Sequence, residues 1–129
     1  MATLKVARRR RRSYIPWEAI GHVYLLHFDR PISQRHTCQH YMGWCTDLTA
    51  RIWQHWLGRG SRLTRVARQR GIGFTVARVW RGSRELELKL KARHESPRLC
   101  PICQEHVPTQ GYDELTPAQI EAKVALFLR

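Results

Sequence analysis

Tyr24, Tyr41, Arg51, His55 and Glu87 have types and spacings suited to work on a phosphodiester. Arg51 and His55 stand four apart in Asp47-Leu48-Thr49-Ala50-Arg51-Ile52-Trp53-Gln54-His55, so on a helix they are neighbours able to reach one phosphate. Glu87 adds a carboxylate at the start of the basic stretch Glu87-Leu88-Lys89-Leu90-Lys91. Hydrolysis of a phosphodiester needs a nucleophilic water, neutralisation of the developing charge and a stabilised leaving group; a divalent ion on a carboxylate can serve the last two needs. Taken singly, each residue has a plainer explanation. Arg51 and His55 read equally as a solvated face opposite Leu48, Ile52 and Trp56, Glu87 with Lys91 as a helix-stabilising pair, and the tyrosines as strand packing.

The elements that must position these residues can be read from periodicity and punctuation. Gly21 to Phe28 is an apolar, β-branched and aromatic run that predicts a mostly buried strand, and Gln39 to Cys45 predicts a second strand paired antiparallel to it. Thr46 or Asp47 caps a helix to about Leu57, closed by Gly58 and Gly60. Ser61 caps another with Leu63, Val66 and Ala67, and Phe74 to Trp80 alternates as a third strand. Ser83 then starts a helix of strong helix formers through Leu86, Leu88 and Leu90. Pro97, Pro101 and Pro108 predict a loop. A final helix opens with Leu115 as staple, Thr116 as cap, Pro117 in the first turn and Gln119 completing a capping box. Its stripe of Ile120, Val124, Phe127 and Leu128 is expected to pack on the core. The expected fold is α/β, a three-stranded antiparallel sheet flanked by helices, with a C-terminal helix.

The 129 residues carry a formal charge of +13, from 23 Lys and Arg against 10 acids. Without the five arginines Arg8 to Arg12 the balance is still +8, so the excess is spread through the chain. A field of that sign attracts polyanions, which makes DNA the leading partner and an anionic membrane the weaker one. Residues 1–15 read as a basic arm in which Arg8, Arg9, Arg10, Arg11 and Arg12 either grip phosphate, together with Lys91, or serve as a solubility tail. No apolar run approaches the roughly 18 residues of a membrane span, and the arginine-rich start lacks a secretory apolar segment, so a soluble, cytoplasmic protein is expected.

In combination the motifs resemble the GIY-YIG endonuclease superfamily. Val23-Tyr24 is similar to the first half of its signature, Tyr41-Met42-Gly43 to the second, and Asp47-Leu48 with Arg51 and His55 to its first helix. Glu87 with Leu90-Lys91 is similar to its metal-binding helix, and Arg98-Leu99-Cys100-Pro101-Ile102-Cys103 resembles the ending of a small bacterial branch. The first half reads Gly21-His22-Val23-Tyr24, and the chain contains no asparagine to fill the late position some members use. The resemblance covers about residues 20–103 and implies a metal-dependent DNA endonuclease. It further implies Tyr24 as general base, Tyr41 beside the attacking water, Arg51 on the scissile phosphate, His55 in proton transfer or phosphate holding, and Glu87 holding Mg2+ or Mn2+.

A free tyrosine has a pKa of about 10, and lowering it three units takes roughly 4 kcal/mol. A cation about 4 Å away at an effective dielectric near 20 supplies a comparable amount. Arg51, a histidine and the metal are therefore expected to suffice.

Cys100 and Cys103, spaced C-x-x-C, with His106 after and His94 before, could belong to a zinc site whose fourth ligand is His94 or comes from the Cys38, His36 or His40 loop. The alternative is a reduced turn stiffened by Pro101. The expected organisation is a basic arm (1–15), a GIY-YIG-type domain (16–106) and a C-terminal extension (107–129). Two rival readings are a catalytically silent nucleic-acid binder, with Trp44, Trp53 or Trp56 stacking on bases, and a zinc-stabilised interaction protein.

Overall fold

A computed structural model of the chain describes residues 14–35 and 37–124. Arg8 to Arg12, His36, Phe127 and Leu128 lie outside the described residues. The chain builds β1 (Gly21–Phe28), β2 (His40–Cys45), α1 (Leu48–Trp56), α2 (Arg62–Gln69), β3 (Phe74–Gly82), α3 (Arg84–Ala92), α4 (Ser96–Leu99) and α5 (Pro117–Val124). The three strands form one antiparallel sheet in the order β2-β1-β3. This is the α/β architecture expected from the sequence.

Alternation along β1 sends its side chains to two different cores. Tyr24, Leu26 and Phe28 join Leu48 and Ile52 of α1, Ala67 of α2, and Leu115, Ile120 and Val124 from around α5. Val23 and Leu25 face the other way and join Leu86 and Leu90 of α3 and Leu99 and Cys100 at the end of α4. Both faces of the central strand are thereby covered, which explains why it reads as a continuous apolar run.

The caps follow their sequence signals. Asp47 accepts from the Ala50 amide and Ser61 from that of Thr64. Thr116 and Gln119 exchange bonds of 2.9 and 3.2 Å at the start of α5. α4 is a departure from the expected loop, since Pro97 stands at the first turn, where its missing N–H leaves nothing unpaired. A bulge between Leu25 and Leu26 shifts the β1–β3 register, and Arg78 on β3 is almost fully buried there. Arg78 holds the Glu114 carboxylate with two donors, one at 2.9 Å, and also donates to the carbonyls of Leu99 and Pro108. It fastens the segment from 99 to 114 against the sheet. Among the described residues no helix is long and apolar enough to cross a membrane.

Candidate active site

The capped helix α1 lays its Leu48, Ile52 and His55 side on the sheet, and His55 is completely buried. Its position on that stripe, at i+7 from Leu48, overrides the solvated-face reading of the residue. Burying an imidazole requires partners for both ring nitrogens. His55 Nδ1 lies 2.9 Å from Thr64 Oγ1 and Nε2 lies 2.6 Å from the Tyr24 hydroxyl. Thr64 Oγ1 already donates to the Ser61 carbonyl. We therefore assign the proton to Nδ1, donating to Thr64, and leave Nε2 to accept from the phenol.

Tyr24 comes from the middle of β1 and is as fully buried as His55. Its register partner on β2 is Gly43, where any side chain would overlap the phenol ring. Gly60 makes the corresponding room beside the His55 ring. Tyr41 is partly buried, with its ring centroid 5.1 Å from that of His55 and 6.3 Å from that of Tyr24. Arg51, one turn before His55, donates through Nε to the Tyr24 hydroxyl at 3.3 Å. Its other nitrogens donate to the Gly60 carbonyl at 3.0 Å and the Gln54 side chain at 3.2 Å.

The same arginine lines an open cleft of about 340 Å³ at the end of β2. Trp44, Cys45, Thr46 and Asp47 form its floor, Ala50, Arg51 and Gln54 the α1 wall, and Arg84 and Glu87 the α3 wall. The Arg84 guanidinium stacks 4.6 Å from the Trp44 ring, whose Nε1 donates to the Gly82 carbonyl. Glu87 is mostly buried at 17% side-chain exposure and pairs with Lys91 at 2.9 Å. Of the five residues singled out from the sequence, Arg51 and Glu87 line the cleft, while Tyr24 and His55 lie behind Arg51 with Tyr41 against their rings. Trp53 is exposed, whereas Trp56 is half-buried against Phe74.

Burial dominates the electrostatics. It pushes the Tyr24 phenol above its ordinary pKa, and the Arg51 hydrogen bond only partly opposes it. Of the cations expected to lower it, His55 is held neutral and Arg51 is outweighed by desolvation, so these two do not make Tyr24 a phenolate. Burial, then Arg51, hold His55 down to about 4. Burial likewise lifts the Cys45 thiol up to about 12, opposed by Arg51 and aided by Asp47 and Glu87, which line the same cleft.

A buried base with a depressed pKa makes stability depend on pH. Between about 4 and the ordinary value of 6.5 the unfolded chain binds a proton at His55 that the folded chain refuses. This contribution is fully present above pH 6.5 and is lost on acidification towards 4, about 3 kcal/mol in all. Urea denaturation across that range should show the loss, and an NMR titration should place the His55 imidazole well below 6.5; an ordinary value there would contradict the buried dyad.

On the opposite sheet face, His27, His40, Cys100 and Cys103 bring one ligand atom each to within 4.8 Å of one another, a group able to hold a metal ion such as zinc. Cys100 and Cys103 were legible as a candidate pair, and His40 as one of several loop candidates. His94 and His106 stand outside this group, both exposed. His27 had no sequence signal beyond its place in β1. Comparisons of the chain with protein-family models, curated proteins and solved structures find no match.

Proposed function

We propose that this protein is a metal-dependent endonuclease of GIY-YIG type that cleaves DNA. The observation that carries the reading is the position of Arg51, whose guanidinium forms a cleft wall opposite Glu87 and at the same time bonds the phenol of the Tyr24–His55 pair. Arg51 thus links the open cleft to the buried Tyr24–His55 pair behind it.

Each residue has a role that its setting permits. Arg51, held by Tyr24, Gly60 and Gln54, receives the scissile phosphate as a fixed fork, and Arg84 on Trp44 offers a second cation. The neutral His55 orients the Tyr24 hydroxyl, and Tyr41 packs over both rings. Tyr24 takes the proton of the attacking water only in the fraction that is phenolate. The carboxylate of Glu87, with Asp47 on the same cleft, fits a hydrated magnesium or manganese ion, which binds through one or two carboxylates and completes its shell with water and phosphate oxygens. Such an ion supplies charge neutralisation at the phosphate and a further positive field on Tyr24.

Full burial of Tyr24 favours the second reading, a silent DNA binder on the same fold. Nicking of supercoiled plasmid separates the two. Wild type should nick with magnesium or manganese and stop with EDTA, and Glu87→Ala should fall at least about a hundredfold, the scale of losing one preorganised charge stabiliser. Wild type that binds plasmid, branched and single-stranded DNA without cutting any of them would establish the binder; undiminished cleavage by Glu87→Ala would remove the metal from that residue.

A further inference from the structure

We propose that His27, His40, Cys100 and Cys103 bind a single zinc ion as a closed structural site. His27 and His40 are direct register partners on β1 and β2, so both rings leave the same sheet face side by side, with centroids 5.1 Å apart. Cys100 and Cys103 come from the turn that follows α4, where the amides of Cys103 and Gln104 both donate to the Cys100 carbonyl at 3.1 Å. The hairpin and the turn meet under the α3 and α4 side of the sheet, whereas Tyr24 and His55 pack on the other. None of the four residues lines the cleft, so the site can be tested apart from cleavage.

The distances fit a tetrahedral ion. A tetrahedral zinc, with bonds of about 2.05 Å to nitrogen and about 2.3 Å to sulfur, sets its ligand atoms about 3.3 Å apart for two nitrogens and about 3.6 Å for nitrogen and sulfur. His27 Nδ1 and His40 Nε2 are 3.3 Å apart. Cys100 Sγ lies 3.5 Å and Cys103 Sγ 3.6 Å from that same His27 nitrogen, and Cys103 Sγ lies 3.4 Å from the same His40 nitrogen. Every contact thus converges on one ring nitrogen of each histidine, as four ligands around a common centre require. Two thiolates and two neutral imidazoles form a soft donor set that selects zinc over magnesium. Four protein ligands fill the tetrahedron and leave no position for a reacting water, the mark of a structural site.

On binding, each thiol releases its proton to solvent and the sulfur lone pair bonds the metal. The ion would clamp the far end of the β1–β2 hairpin to the chain leaving α4, beside the point where Arg78 grips the Leu99 carbonyl. Residues 99 to 114 pass over the sheet with few regular hydrogen bonds of their own, and two fasteners, one ionic and one metallic, would hold them.

Metal analysis of the full chain, expressed with zinc and freed of loose metal, should find one zinc per chain. Cobalt(II) in its place should show thiolate-to-metal charge transfer and the visible absorption of a tetrahedral ion. Chelation should lower the melting temperature of wild type. Cys103→Ser, an exposed and nearly isosteric change, should weaken zinc against a chromophoric chelator by at least the roughly tenfold that losing even an outer-shell partner of a ligand costs, while His94→Ala and His106→Ala should retain it. Wild type that takes up neither zinc nor cobalt would overturn the proposal. So would zinc that survives Cys103→Ser unchanged or is lost on His94→Ala or His106→Ala.

Discussion

Replacing Arg51 with alanine is expected to lower DNA cleavage about a thousandfold at saturating magnesium while the fold persists. Two effects combine. The side chain is a preorganised donor fork on the cleft wall, and removing one such stabiliser of developing charge typically slows a reaction 10²–10³-fold. Its Nε also donates to the Tyr24 hydroxyl and opposes the burial that keeps that phenol protonated. Without it the phenolate fraction falls further. Arg51→Lys should recover only a small part, because an ammonium keeps the charge but cannot span Tyr24, Gly60 and Gln54 together. Single-turnover cleavage by well-folded Arg51→Ala and Arg51→Lys checks this, and a loss below tenfold would take Arg51 out of the proposed chemistry.

The fold was legible because its signals are local. β1 falls where the continuous apolar run places it, the Asp47, Ser61, Ser83 and Thr116 caps all start helices, and the third strand merely extends two residues beyond Trp80. Pro97 misled because proline punctuates loops yet also suits a first helical turn.

The site was legible only in part, because its decisive facts are long-range. His55 read from sequence as a neighbour of Arg51 at a phosphate or as part of a solvated face; it is instead buried, with partners supplied by Thr64 and Tyr24, 9 and 31 residues away. Gly60 looked like a helix end and Gly43 stood out only within Tyr41-Met42-Gly43, although each is small because a ring presses against it. The C-x-x-C pair announced half of the candidate metal group. Its other half needed the β1–β2 register, which pairs His27 with His40 and which no local pattern fixes. The Tyr24 pKa failed for the same reason, since a neighbouring cation can be inferred from sequence but complete burial cannot.

That phenol also provides the most direct measurement. Burial raises the pKa of Tyr24, an acid, so across the neutral range the phenolate proposed as base is a minor fraction that grows tenfold with each pH unit. Cleavage by wild type at saturating magnesium should therefore climb about tenfold per unit from pH 6 to 8, in the direction opposite to any loss of DNA binding at high pH. Tyr24→Phe keeps the ring that fills the space beside Gly43 and removes only the hydroxyl. It should cut far more slowly and lose that slope. The pH–rate profile of the two proteins, taken side by side, tests the account at its centre: a steep wild-type rise that Tyr24→Phe abolishes is the predicted result, and a Tyr24→Phe enzyme that matches wild type in rate and slope would contradict it.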